Sequence, residues 1–195
     1  MQDFLKRAGW VFLAGLFVVT GLGVGVLAFW QATHPANKND QSQTLAANTS
    51  KPPTCSNDPS ITFNAPVSGQ KLAGTQLADF TPVAKVSSLQ CIDVKVGTTG
   101  QAVQTSSSIT ANYTGAVAST GKIFQSSLDN NGQPFTTALS GVIPGWQSGL
   151  LGMKAGGERR LLIPASQAYG ANPPPNSGIP ANADLVFDIT VLQVQ

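Results

Sequence analysis

The residues best placed to do chemistry lie in one stretch, Gly141–Gly170, which reads GVIPGWQSGLLGMKAGGERRLLIPASQAYG. It puts Val142, Ile143, Trp146 and Tyr169 within reach of one small hydrophobic depression. The stretch holds no His or Cys and only one acid, Glu158. Covalent, acid–base and metal chemistry therefore have almost nothing to work with. An aromatic-lined pocket without a strong catalytic group suits a reaction that breaks no strong bond.

The rest of the 195-residue chain narrows the choice further. Its only histidine, His34, lies in a polar segment near the N-terminus, so no Ser-His-Asp or Cys-His site can be built in the globular part. Two cysteines cannot supply a four-ligand zinc site, and no acidic cluster suits calcium. No metal and no cofactor is expected. The net charge is only +2, with 10% of residues charged and no Lys/Arg cluster that could follow a phosphate backbone, so nucleic acid is not an expected partner.

Short strands must position the pocket. Leu89–Val96 and Ser108–Ala118 alternate as strands, with Ile109, Ala111, Tyr113 and Gly115 on one face. Gly121 marks a turn before Ile123-Phe124, and Gly132 another before Phe135. Gly145–Met153 is the one plausible helix of this region. Glu158–Ile163 and Leu185–Gln193 read as two further strands, the last with Leu185, Phe187, Ile189 and Val191 on one face. Arg159 and Arg160 read as solvated strand residues. The expected class is α+β, an antiparallel sheet with one short helix packed against it.

Several motifs fall in order: ANYTGAVASTGKIFQSS (Ala111–Ser127), QPF (Gln133–Phe135), VIPGWQSGLLGMKAGGERRLLIP (Val142–Pro164), AYG (Ala168–Gly170) and IPANADLVFDITVL (Ile179–Leu192). Together they resemble the FKBP-type peptidyl-prolyl cis–trans isomerases over residues 85–195. The resemblance implies a curved antiparallel sheet wrapped around a short helix, with the pocket between them. It implies Trp146 as the floor under a proline ring and Tyr113, Phe124, Val142, Ile143 and Phe187 as walls. The Ile143 backbone N–H and the Tyr169 hydroxyl would hold substrate carbonyls, and Phe135 and Ile179 would complete the rim. The implied partners are proline-containing unfolded or exported polypeptides and macrolides such as tacrolimus or rapamycin.

The sequence departs from the family in two places. Members usually carry Asp after the Phe of the KxFDSS segment, where this chain has Gln125. Glutamine keeps an acceptor on the polar side of the site but loses the charge. The loop Asn172–Gly178, NPPPNSG, overhangs the pocket in the family, and its three prolines stiffen it here. Two functions follow. The first is an isomerase that assists folding of exported proteins. The alternative, which Gln125 favours, is a proline-binding chaperone module with little turnover. A purely structural domain leaves the gathered aromatics unexplained.

Ahead of this domain, Trp10–Trp30 is a run of 21 residues without a charge. A helix of that length spans about 31 Å, close to a hydrocarbon core. Lys6 and Arg7 precede it, which places the N-terminus in the cytoplasm and the C-terminal domain outside, anchored to the cell membrane by a single pass. The alternative is a cleaved signal peptide and a secreted domain. The organisation read from the sequence is a cytoplasmic N-terminus at 1–8, a transmembrane signal-anchor at 9–30, a linker and N-terminal extension at 31–84, and the isomerase domain at 85–195. Gln31–Ser60 reads as a flexible tether, and 61–86 adds a strand or an ordered arm. Outside the cytoplasm, Cys55 and Cys91 are expected to form a disulfide that closes a loop of about 36 residues. The other possibility is two unpaired thiols. Asn48-Thr49-Ser50 and Asn112-Tyr113-Thr114 fit the N-glycosylation sequon, a pattern frequent by chance.

Overall fold

The structure is a computed structural model that describes residues 53–64 and 70–195. The apolar run at 9–30, most of the tether, His34 and the Asn48 sequon lie outside the described residues. No helix among the described residues is long and apolar enough to cross a membrane.

Seven strands form one sheet. They are β1 (Ser56–Asn57), β2 (Gln90–Lys95), β3 (Ser108–Val117), β4 (Ile123–Ser126), β5 (Phe135–Ala138), β6 (Glu158–Ile163) and β7 (Leu185–Val194). The order across the sheet is β1-β2-β6-β7-β3-β4, and β5 also pairs with β3. On the edge away from β7, ten-residue β3 serves two partners, with β5 along its first half and β4 along its second. The long strands β3 and β7 are rich in β-branched and aromatic residues, which fit a pleated buried surface.

The sheet is mixed rather than wholly antiparallel. Ser56 and Asn57 run parallel to Ile92 and Asp93 of β2. A parallel pair needs a long crossover, and residues 58–89 supply one. The Cys55–Cys91 disulfide fixes the approach, with the two Cα atoms 4.6 Å apart. The last residues of the stretch read as a flexible tether are thus covalently held to the sheet.

The one α-helix among the described residues, α1 (Pro144–Gly149), lies across β6. Pro144 starts it, where a missing N–H costs nothing. Glycine permits its close approach: a Cβ on Gly145 would sit 2.4 Å from Ile163 Cγ2. The helix is shorter than Gly145–Met153, because Gly152 turns with a φ of +80° and donates its N–H to Val103 O at 3.0 Å. The main core lies between α1 and the sheet, where Trp146, Leu150 and Met153 meet Leu161, Ile163, Phe187 and Ile189.

The opposite face of the sheet is also covered. Leu72, Leu77 and Val86, from the chain before β2, are buried against Ala116, Ile123, Leu162 and Val186. Cover on both faces, α1 over Arg159 and the arm over Arg160, overturns the reading of these two residues as solvated. Their exposures are 8% and 2%. Arg160 pairs with Asp188 at 2.6 and 2.8 Å, donates to the carbonyls of Ala78 and Asp79, and lies 5.6 Å from the Phe80 ring centre. Burial pushes the Asp188 carboxyl up despite the facing guanidinium. Arg159 pairs with Asp93 at 2.6 and 3.1 Å and donates to Gly149 O at 2.7 Å. That cation satisfies a carbonyl at the end of α1.

Candidate active site

A cavity of about 300 Å³ opens between α1, the sheet and the loops beside them. Tyr113, Gln125, Phe135, Val142, Ile143, Trp146, Tyr169 and Phe187 line it, together with Gly141, which the sequence reading did not single out. No charged side chain among the described residues lines the cavity. Phe124 and Ile179 are not part of its lining. Phe124 stands edge-on to Phe187 at 5.7 Å, and Ile179 is buried in the core behind the site.

The aromatic rings form a connected set. Trp146 meets Tyr113 at 5.5 Å and Phe187 at 5.4 Å, both edge-on. Phe135 approaches Tyr113 at 5.7 Å, also edge-on. These are favourable separations for a quadrupole-directed contact, and each pair fixes the ring orientation of its neighbour. Strand β3 must dip beneath two of the rings. Gly115 allows this, since a Cβ there would lie 2.6 Å from both Phe124 Cζ and Phe187 Cε1.

Local hydrogen bonds hold the loops. Ser126 accepts from Leu128 N–H at 3.2 Å, capping the 3-10 turn Ser127–Asp129, and its hydroxyl is 3.0 Å from that of Thr114. Ser127 accepts from Tyr113 N–H at 3.0 Å. The two serines after Gln125 thus tie the turn to β3. On the other side, Gln147 Nε2 donates to Val142 O at 2.7 Å and steadies the approach to α1. Ile143 gives its carbonyl to Trp146 N–H and Gln147 N–H, at 2.9 and 3.2 Å, while its own N–H precedes the helical ladder. The Trp146 indole N–H is buried and has no acceptor among the described residues.

A buried acid organises the segment before Tyr169. Asp184 accepts from Ala165 N–H at 2.8 Å and from Val86 N–H at 2.7 Å, with Lys85 at 3.2 Å. Burial works against its charge, but those N–H groups and Lys85 outweigh it and hold the carboxyl below its ordinary value. Sequence reading missed Asp184, because nothing in its local pattern distinguishes it from a surface acid. The two phenols in the cavity are pushed above their ordinary pKa. Burial raises both, and the neighbouring Tyr169 raises Tyr113 further.

The arrangement is an aromatic-lined cavity with neutral donors at its edge. It can hold an uncharged ring and the carbonyls beside it. It offers no nucleophile and no general base.

A family model of the FKBP-type peptidyl-prolyl cis-trans isomerases matches residues 99–192. Residues 99–192 belong to that family. The FKBP-type domain is 44% identical over 105 residues to an FK506-binding protein 4 of Chaetomium thermophilum, covering 53% of this chain and 20% of the relative. It is 43% identical over 96 residues to the FKBP-type peptidyl-prolyl cis-trans isomerase FkpA of Escherichia coli, covering 49% and 34%. The crystal structure of FkpA from Escherichia coli superposes with a TM-score of 0.50 at 40% identity, covering 55% of this chain and 48% of that one. The chain spans about a fifth to a third of the length of these curated relatives.

Proposed function

We propose that the FKBP-type domain catalyses cis–trans isomerisation of X-Pro peptide bonds in polypeptide substrates. The observation that carries the reading is the neutral aromatic cavity floored by Trp146, with no charged group in its lining. A prolyl amide crosses a barrier of about 18–20 kcal/mol because twisting removes its resonance. The twisted amide is less dipolar than the planar one. A dry apolar cavity therefore binds it better than the ground state, and only such differential binding accelerates the step.

In this reading the proline ring rests on Trp146 between Tyr113, Val142, Ile143 and Phe187, with Phe124 buttressing Phe187. The Ile143 N–H and the Tyr169 hydroxyl hold the carbonyls on either side of the bond. Phe135, 38% exposed, forms the rim, and Ile179 supports the wall from behind. Macrolides such as tacrolimus or rapamycin fill the same cavity. The uncharged run at 10–30 anchors the chain in a membrane with the domain outside the cytoplasm, where the disulfide persists and exported chains are the substrates.

Magnetisation-exchange NMR on a short X-Pro peptide tests the activity without a coupling protease. The expected result is accelerated exchange that tacrolimus abolishes. Gln125 supports a second reading, a proline-binding chaperone module, because the site lacks the usual carboxylate. Tight peptide binding without accelerated exchange would establish that module instead.

A further inference from the structure

A second cavity, of about 500 Å³, lies beside the first. Its walls are the arm residues Ala73 and Gly74, the exposed β3–β4 turn at Ser119 and Thr120, and the loop Asn176–Gly178. Phe124 lines this second cavity and touches Phe187, which lines the first. Its ring stands against Phe187 on one side, and its Cβ faces Gly178 on the other, 3.9 Å from where a Cβ on that glycine would sit. The arm wall is built in place. Asp129 accepts from Leu72 N–H at 2.6 Å and Ala73 N–H at 3.0 Å, while Gly74 N–H donates to Ile123 O at 2.8 Å. Ala73 and Gly74 lie outside the residues that the family model matches.

We propose that this groove is a second polypeptide subsite, which binds residues flanking the isomerised proline. The proposal rests on the isomerase reading of the first cavity. Continuity carries it: a chain whose proline fills the aromatic cavity and which leaves over Phe124 enters the groove directly. The lining is largely apolar and small, with Lys122 as its one charged residue, so it suits an extended chain of general sequence rather than an ionic ligand. Asp129 is a positioning residue that keeps the arm beside Phe124.

Two peptides test it on the full chain: a blocked Ala-Ala-Pro-Phe tetrapeptide and a longer peptide with that core extended on both sides by alanine and serine. Titration calorimetry reads affinity, and magnetisation exchange reads isomerisation. The longer peptide should bind about five- to tenfold more tightly. Ser119→Trp, which fills the groove from an exposed turn, should remove that advantage and leave tetrapeptide affinity unchanged. Asp129→Ala should do the same by releasing the arm. Equal affinity for the two peptides overturns the proposal, as does a longer-peptide affinity that Ser119→Trp leaves intact or a loss shared by the tetrapeptide. Absence of exchange on either peptide overturns the isomerase reading alone, because the calorimetric comparison still judges the groove.

Discussion

Arg160 and Asp188 face each other across β6 and β7, joined by two contacts of 2.6 and 2.8 Å, with both side chains 2% exposed. The pair lies on the face of the sheet away from the aromatic cavity. Arg160 also grips the carbonyls of Ala78 and Asp79, so it fastens the arm to the sheet.

Arg160→Ala strands a buried carboxylate and frees two carbonyls. The expected loss is about 3–5 kcal/mol, read from the urea midpoint. Replacing both partners, Arg160→Met with Asp188→Leu, should cost distinctly less, because no charge is left unpaired. Equal losses in the two variants would contradict the assignment of the cost to the stranded charge.

Asp184 gives stability a dependence on acid. Its folded carboxyl lies below the ordinary value, so its contribution is complete above about pH 5 and is lost as pH falls through the folded pKa. Asp184→Asn should cost about 1–3 kcal/mol at neutral pH by leaving buried N–H groups poorly matched. The gap between wild type and variant should close as pH falls below about 4, followed by denaturant titration at each pH.

Catalysis, by contrast, should ignore pH across the neutral range. The titratable side chains lining the aromatic cavity are Tyr113 and Tyr169, and burial raises both above the ordinary phenol value. Both hydroxyls stay protonated until strongly alkaline pH. The expected kcat/KM for a prolyl peptide is flat from about pH 6 to about pH 9. A bell-shaped profile in that range would reveal an acid–base group outside this account.

Gln125 sits at the exposed edge of the cavity, where the family's usual residue is Asp. A charge-assisted hydrogen bond is stronger than a neutral one, so Gln125→Asp should raise kcat/KM by about tenfold at most. Ligand affinity should move less than turnover, since the charge acts on the twisted state. Magnetisation exchange on a short peptide decides it. An unchanged or lower rate in a folded variant would mean that the cavity is adapted around glutamine.

Periodicity reaches the elements of this fold more readily than their surroundings. The pattern of Glu158–Ile163 locates β6 to the residue, yet it assigns Arg159 and Arg160 to solvent. The error arises because strand alternation cannot reveal that both faces are covered. The cover on the second face is an arm of isolated hydrophobes at Leu72, Leu77 and Val86, with no period to announce it. Two-residue β1 is too short for any pattern. Asp129 and Asp184 escape for another reason. Their partners lie 57 and 98 residues away at Leu72 and Val86, so each looks like an ordinary acid until the chain is folded. The cavity residues are more legible, because Trp146 and Tyr169 sit in short Gly- and Pro-bounded segments where a large aromatic needs a reason. Phe124 and Ile179 share that legibility but are not part of the cavity lining.

The Cys55–Cys91 bond also decides where tension enters the molecule. A pull on the chain ahead of Cys55 passes through the two sulfurs to β2, in the body of the sheet, where the Cα atoms are 4.6 Å apart. The residues between the cysteines are then out of the load path. They include Ala73, Gly74 and the Phe80 that stacks on Arg160. Mechanical stress from the preceding segment therefore leaves the groove wall slack, much as a clamp relieves strain on a cable.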